Sequence, residues 1–313
     1  MRVHKFMPAA PIALFAYNRP AHIRRTVESL LANELAAASD LYIFSDGPRS
    51  PAQEPAVAAV KRYVRKVSGF RSVTVIEGAT NQGLANSIID GTTRLTREFG
   101  SVVVLEDDLV LSPHFLKYMN RALERYQDDD SAMQVSGYMF PIDVAAETDA
   151  FFMPFTTSWG WATWERAWQH FDPDMRGFDA LVGDRHLRDS FDLGGAYGYF
   201  DMLERQRRGS IDSWAIRWYL SVFIRGGLTL YPARTLVRNI GFDGSGTHCV
   251  VADVEQRPLQ PDFCVERFPA RVHQHPQWKK VLAAMPSQRR RAGDSLRGVV
   301  TKAIRMLRGR NLD

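Results

Sequence analysis

Residues 101–113 read SVVVLEDDLVLSP. Val102, Val103, Val104 and Leu105 form an unbroken apolar run, the pattern of a strand covered on both faces in a parallel sheet. Glu106, Asp107 and Asp108 follow it directly. Adjacent carboxylates repel, and beside a buried strand they raise the free energy unless a cation or hydrogen bonds compensate. Ligands of open α/β sheets bind at the carboxyl ends of the strands, which is where the triplet falls. From the triplet alone two readings are open. One is a solvated acidic loop; the other is a site where a hard divalent cation bridges to a diphosphate.

The chain on either side supports a parallel sheet. Residues 11–17, PIALFAY, read as a buried first strand, and Pro20 suits the first position of a helix carrying Ile23, Val27, Leu30 and Leu31. Arg19 then lies at a helix N-terminus, a place that favours anions, although a plain capping turn fits as well. A second strand, residues 41–44, ends in Ser45, Asp46 and Gly47, and a helix over 56–67 follows. A third strand, 72–76, leads to Asn81, Gln82 and Gly83, which open a helix lined by Leu84, Ile88, Leu95 and Phe99. Strand and helix thus alternate three times before the acidic strand, the signature of crossover helices on a parallel sheet. After the triplet, Ser112 and Pro113 start a helix that stops before Asp128.

The second half is less regular. Strands are expected over 132–135, 151–155, 228–231 and 235–237. Residues 158–168, SWGWATWERAW, hold four tryptophans. Core packing is the default for such density, while Gly160 points to a turn presenting flat aromatic surface of the kind that stacks on sugar rings. Asp212 precedes a helix that is apolar on most sides, through Trp214, Ile216, Trp218, Leu220, Phe223 and Ile224. Asp is a favoured N-cap, so capping is one reading of that carboxylate.

Composition removes other classes. The chain has 313 residues, 45% of them apolar and 24% charged, enough for a substantial core in one large α/β domain or two smaller ones. Its two cysteines, Cys249 and Cys264, argue against a disulfide framework and for a reducing cytosol. No run has the length of a membrane span, and the N-terminus lacks an apolar signal core. The +5 charge is concentrated at the C-terminus: from Gln288 onward eight Lys or Arg face two Asp, net +6, leaving −1 for the rest. Nucleic acid is therefore not the expected partner of the body. No zinc spacing, nucleophile elbow, P-loop or dinucleotide glycine fingerprint is present. What remains are polar residues at strand ends that a doubly wound sheet gathers along one edge: Arg19, Asp46, Asn81, Gly83 and the triplet. Together they suit a nucleoside diphosphate with its metal.

The NRP turn after the first strand, the IFSDG strand end, the NQGLANS helix start and VVVLEDDLVLSPHF, taken in that order, resemble GT-A-type nucleotide-sugar glycosyltransferases. Within that class they most resemble the N-acetylglucosaminyltransferase-I-like group and its bacterial relatives. WGWATWERAW is similar to that group's glycine–tryptophan stretch, DSWAIR to the segment carrying its catalytic carboxylate, and GSGTHC to its closing loop. The resemblance runs over residues 11–249. It implies an α/β, doubly wound, mostly parallel sheet with helices on both faces and a smaller mixed acceptor-side part. Residues 1–130 would form the donor half, 131–250 the acceptor-binding and catalytic half of the same domain, and 251–313 a basic extension.

For the site, the resemblance implies Asp108 as ligand of Mn²⁺ or Mg²⁺, with Glu106 and Asp107 on donor sugar and ribose. Arg19 and Asp46 would hold the nucleoside, with Asn81 and Gly83 beside them. A carboxylate at Asp46 suits uracil, whose N3–H it can accept; cytosine has no such donor, while guanine does. Thr247 and His248 would lie near the diphosphate, and Trp159 and Trp161 would face the acceptor. Asp212 would be the general base of an inverting displacement. Here the sequence departs from the family, with Ser213 and Ile211 where it has a second acidic residue and a tryptophan. The function implied is metal-dependent transfer of a sugar from a UDP-sugar to a glycan or lipid-linked glycan, in bacterial surface polysaccharide synthesis.

Two other classes stay open. A sugar-phosphate nucleotidyltransferase would show a glycine-rich stretch after the first strand, which FAYNRPAHIRR lacks. A glycan-binding module would keep the tryptophans but has no need of three clustered carboxylates. At the C-terminus, Leu296, Val299, Val300, Ala303, Ile304 and Leu307 share one helical face, with Arg297, Arg305 and Arg308 towards the other. Such a basic amphipathic helix lies on anionic membrane. The expected location is cytoplasmic, peripheral on the inner face of the membrane.

Overall fold

The computed structural model describes residues 9–244 and 255–285. In the first part, strands β1 (Ile12–Ala16), β2 (Asp40–Ser45), β3 (Ser72–Glu77) and β4 (Ser101–Glu106) alternate with helices α1 (Pro20–Leu31), α2 (Glu54–Val64) and α3 (Leu84–Phe99). All five residues of β1 are buried, as are the four central residues of β4. At the edge, β3 has no buried residue. The pattern follows from position: strands with helices on both faces bury both sets of side chains. Pro20 opens α1 at N1, and Gly100, in the left-handed region at φ 79°, ends α3.

The register aligns the strand ends. β1 pairs in parallel with β2, placing Ala16 beside Ser45, and with β4, placing Phe15 beside Glu106. Arg19, Asp46 and the acidic triplet therefore emerge at the same edge, as the alternation predicts.

After β4 come β5 (Leu109–Leu111), α4 (Phe115–Arg125), β6 (Ala132–Ser136), β7 (Ala150–Met153) and β8 (Trp161–Trp164). Five short helices and three further elements complete the described chain. They are α5 (Glu165–Trp168), α6 (Phe178–Gly183), α7 (Arg185–Phe191), α8 (Tyr199–Arg207), α9 (Trp214–Ile224), β9 (Leu228–Pro232), β10 (Val237–Asn239) and α10 (Trp278–Leu282). The eight-stranded sheet runs β3-β2-β1-β4-β8-β6-β9-β7. Its first four strands are parallel, whereas β8 is antiparallel to both β4 and β6, and β7 to β9. One sheet thus joins both halves. β5 and β10 form a separate antiparallel ribbon, pairing Asn239 with Leu109 directly after the triplet.

Two apolar cores flank this sheet. One holds the parallel strands with Trp161, Trp164, Trp168, Trp214 and Trp218. The other gathers Tyr138, Phe155, Leu203, Tyr219, Tyr231 and Trp278. α9 serves both, with Trp214, Trp218 and Val222 on one side and Ile216, Tyr219 and Leu220 on the other. That is why it is apolar nearly all round. The C-terminal amphipathic face lies outside the described residues. No helix of the described chain is long and apolar enough to cross a membrane.

Candidate active site

Arg19 sits between the carboxylates. Its Nη1 lies 2.9 Å from Asp108 Oδ2, and its Nη2 pairs with Asp107 Oδ1. Asp107 Oδ2 also accepts from Tyr17 N at 3.3 Å, and its backbone oxygen from Thr26 Oγ1 at 2.7 Å. Asp107 and Asp108 are buried, at 3% and 6% exposure, so these contacts act in a medium that screens little. Three carboxylates against one guanidinium leave an excess of negative charge. Burial, then the neighbouring Asp108 and Asp107, push Glu106 up to about 8, with Arg19 opposing. Burial likewise raises Asp107, although Arg19 pulls it back. Burial disfavours the charge on Arg19, but the two carboxylates outweigh it and hold its pKa above the ordinary value.

That charge balance is the test of fit for a metal. A cluster of hard oxygens in want of positive charge, with the Glu106 carboxyl pushed up by burial and then by its charged neighbours, suits a hard divalent cation. No group of three His, Cys, Asp or Glu side chains among the described residues is arranged to hold a metal. A cation here would share its ligands between Asp108 and a substrate diphosphate, as Mg²⁺-type ions commonly do.

The ribbon brings a further residue to the site. Ile240 N donates to Asp108 O at 2.8 Å, and a Cβ on Gly241 would fall 2.1 Å from Asp108 Oδ2 and 3.0 Å from Arg19 Nη1. Only glycine fits there. His22 secures the same turn, its Nε2 lying 3.3 Å from Ile240 O and 3.2 Å from Asp243 Oδ2. Neither Gly241 nor His22 was singled out from sequence; the glycine-rich run 241–246 was the available signal for the first.

Asp46 organises its own corner. Oδ1 accepts from Gly47 N at 2.8 Å and Gln82 N at 3.0 Å; Oδ2 accepts from Asn81 Nδ2 at 2.8 Å and Gly83 N at 3.0 Å. The structure thus brings Asp46, Asn81 and Gly83 together, tying the end of β2 to the start of α3. A carboxylate offers about four acceptor positions, so this one is filled.

The remaining candidates lie in the second half. The N-cap of α9 is Ser213, whose Oγ accepts from Ile216 N, so the capping reading of Asp212 is corrected by one residue. Asp212 is exposed at 61% of its side chain and pairs with Arg217 Nη2 at 3.0 Å. Trp161, at 1% exposure, stacks on Trp214 at 4.9 Å and 19°. It fills the core instead of offering a face to an acceptor, because β8 runs between β4 and β6. Trp159, before Gly160 at φ 61°, stays half-buried, edge-on to Tyr138 at 4.4 Å and to Phe242 at 5.4 Å. Thr247 and His248 lie outside the described residues.

A parallel α/β sheet continued by antiparallel strands, with an acidic triplet at the end of β4, is the arrangement of a GT-A-type enzyme. The chain belongs to the family "Glycosyltransferase like family 2", whose model matches residues 8–179, more than half of its length. No curated protein matches it. Among solved structures it is similar to a mannosyltransferase from Pyrobaculum calidifontis in complex with GDP-Man and Mn²⁺, with 16% identity and a TM-score of 0.37. That match covers 51% of this chain and 45% of the other, so the chain spans under half of that relative's length. Mouse xyloside xylosyltransferase 1 in its apo form is similar at 14% identity and a TM-score of 0.32, over 51% of this chain and 68% of the other. At these scores the two likenesses add nothing to the assignment, which rests on the family match.

Proposed function

We propose that this glycosyltransferase moves a sugar from a UDP-sugar, with Mn²⁺ or Mg²⁺, to a glycan or lipid-linked glycan, inverting the anomeric centre. The observation that carries the reading is the acidic end of β4, where Asp107 and Asp108 pair with one guanidinium and Glu106 stands beside them. Asp108 would hold the metal, which when bound supplies charge stabilisation to the departing diphosphate. Arg19 pairs with both Asp107 and Asp108 and holds them side by side. Glu106 faces the donor sugar, and Asp46, through Asn81 and Gly83, shapes the turn that walls the nucleoside. Because the acceptor positions of Asp46 are filled, the preference for uracil rests on the resemblance to the N-acetylglucosaminyltransferase-I-like group, not on that carboxylate.

Asp212 is the proposed base, accepting the proton of the acceptor hydroxyl as it attacks. It stands one residue before the Ser213 cap of α9, exposed and paired with Arg217 Nη2 at 3.0 Å. The division into a donor half over 1–130, an acceptor half over 131–250 and a basic extension, a role in bacterial surface glycan synthesis, and attachment to the inner membrane face belong to the same proposal. The nucleotidyltransferase and glycan-binding alternatives are set aside by the family match. The test is incubation with a panel of UDP- and GDP-sugars, with Mn²⁺ or with chelator, reading nucleotide release. Metal-dependent release from a UDP-sugar is expected; release only from GDP-sugars, or undiminished by chelator, would overturn the donor or the metal.

A further inference from the structure

A cavity of about 290 Å³ opens beside Trp159, between the loop before β8, α8 and the first turns of α9. Nine of its sixteen lining residues are aromatic and none is charged. Tyr138, Trp159, Tyr199, Trp214 and Phe242 form most of its wall. Burial pushes the Tyr138 phenol up to about 12 and raises Tyr199 further, so both stay neutral across physiological pH. A phosphate or carboxylate finds no counter-charge in such a wall, whereas an uncharged apolar group gains from leaving water. The volume suits one aromatic ring or a short alkyl chain, given that a cavity of about 150 Å³ already holds benzene.

Its position connects it to the reaction. Phe242, part of the wall, is the residue after Gly241, which lies against Asp108 and Arg19. Trp214, on the opposite side, is two residues beyond Asp212. The cavity therefore adjoins both the acidic site and the proposed base, on the acceptor side.

We infer that this cavity binds an uncharged apolar aglycone of the acceptor, so that the acceptor is a glycoside whose non-sugar end is aryl or alkyl. The inference rests on the donor-site reading above and narrows its acceptor. Of the hydroxyls in the wall, those of Thr157 and Tyr219 are already paired with Ser136 Oγ and Phe191 O, and sugar hydroxyls buried without partners lose free energy.

Calorimetric titration of the full-length protein with octyl, 4-nitrophenyl and methyl β-D-glucopyranosides, below micelle concentrations, tests it. Octyl or nitrophenyl glycoside should bind at least about tenfold tighter than methyl, the gain from burying two or more methylenes. The better of the two tells chain from ring. Met202→Trp and Ala215→Trp, which fill the cavity from α8 and α9, should each bring the preference below about threefold. Thermal unfolding identifies which of the two variants is folded. Equal binding of all three glycosides by the wild type, or an undiminished preference in a folded filling variant, overturns the inference. Nucleotide-sugar splitting by Asp108→Ala separates the two readings: retained turnover removes the donor site and leaves the cavity result standing.

Discussion

The two halves of the sheet solve binding in opposite ways. Around β1, β2 and β4 the working groups are charged, buried or half-buried, and locked to their neighbours: Arg19 to Asp107 and Asp108, Asp46 to four N–H donors. Around β8 and α9 the wall is aromatic and uncharged, and the one carboxylate assigned to chemistry, Asp212, lies in the open. The first arrangement recognises a ligand of fixed charge and geometry. The second recognises apolar surface, which tolerates variety in shape.

The largest effect expected from breaking this contrast is at Asp108. Asp108→Ala should lower metal-dependent nucleotide release by at least about 10²-fold, since it removes the proposed ligand of the metal that would offset the charge on the departing diphosphate. Arg19 keeps its pairing with Asp107, so a melting-temperature loss of only a few degrees is expected. Near wild-type turnover in Asp108→Ala would mean that the charged half does not do the chemistry.

Asp212→Asn comes next, with transfer reduced about 10²-fold and donor binding intact if Asp212 is the base. Because Ser213 is the cap, Asn at 212 should leave helix stability unchanged. A wild-type transfer rate in this variant places the base elsewhere.

A third comparison sets two tryptophans against each other. Trp161→Ala removes a fully buried ring and should cost about 3–5 kcal/mol in chemical denaturation, whereas Trp159→Ala should cost far less. Equal losses would mean that Trp159 is core and that the aromatic wall is structural.

The smallest effect lies away from the site. Asp149 accepts from Arg267 N at 2.8 Å and Glu266 N at 3.1 Å and pairs with the Arg267 guanidinium. Burial pushes its carboxyl up, but these bonds outweigh it and hold it below the ordinary value. Its contribution is present above the unfolded carboxylate pKa and fades as pH falls through the lowered folded one. Asp149→Asn should therefore lower the melting temperature by about 1–3 °C at pH 7 and by less near pH 3.

The charged half was legible because its signals are local. An apolar run followed by carboxylates, a proline at N1 and glycines at turns each state their structure within a few residues, and β1 to β4 with their helices follow the predicted order. The alignment of Arg19 with Asp108 came from topology, since parallel strands end at one edge. The aromatic half was less legible because its meaning is non-local. Nothing in SWGWATWERAW says that Trp161 lies on a strand beside β4, nor which tryptophan stays at the surface. The ribbon of β5 and β10 pairs residues more than a hundred positions apart, so Gly241 could be seen as part of a glycine-rich run but not as the neighbour of Asp108. The short helices α6, α7 and α8 escaped detection, having too few turns to show a period.

The position of α9 has a consequence for recombination. Its two faces belong to different cores, and β8 pairs directly with β4 inside the one sheet. A chimera that takes its donor half from one relative and its acceptor half from another inherits only one of the two surfaces that α9 was fitted to. If the cavity takes the acceptor as inferred, exchanges of acceptor specificity should therefore succeed when they replace the cavity-facing side chains of α8 and α9, and fail when the crossover is placed between β4 and β8.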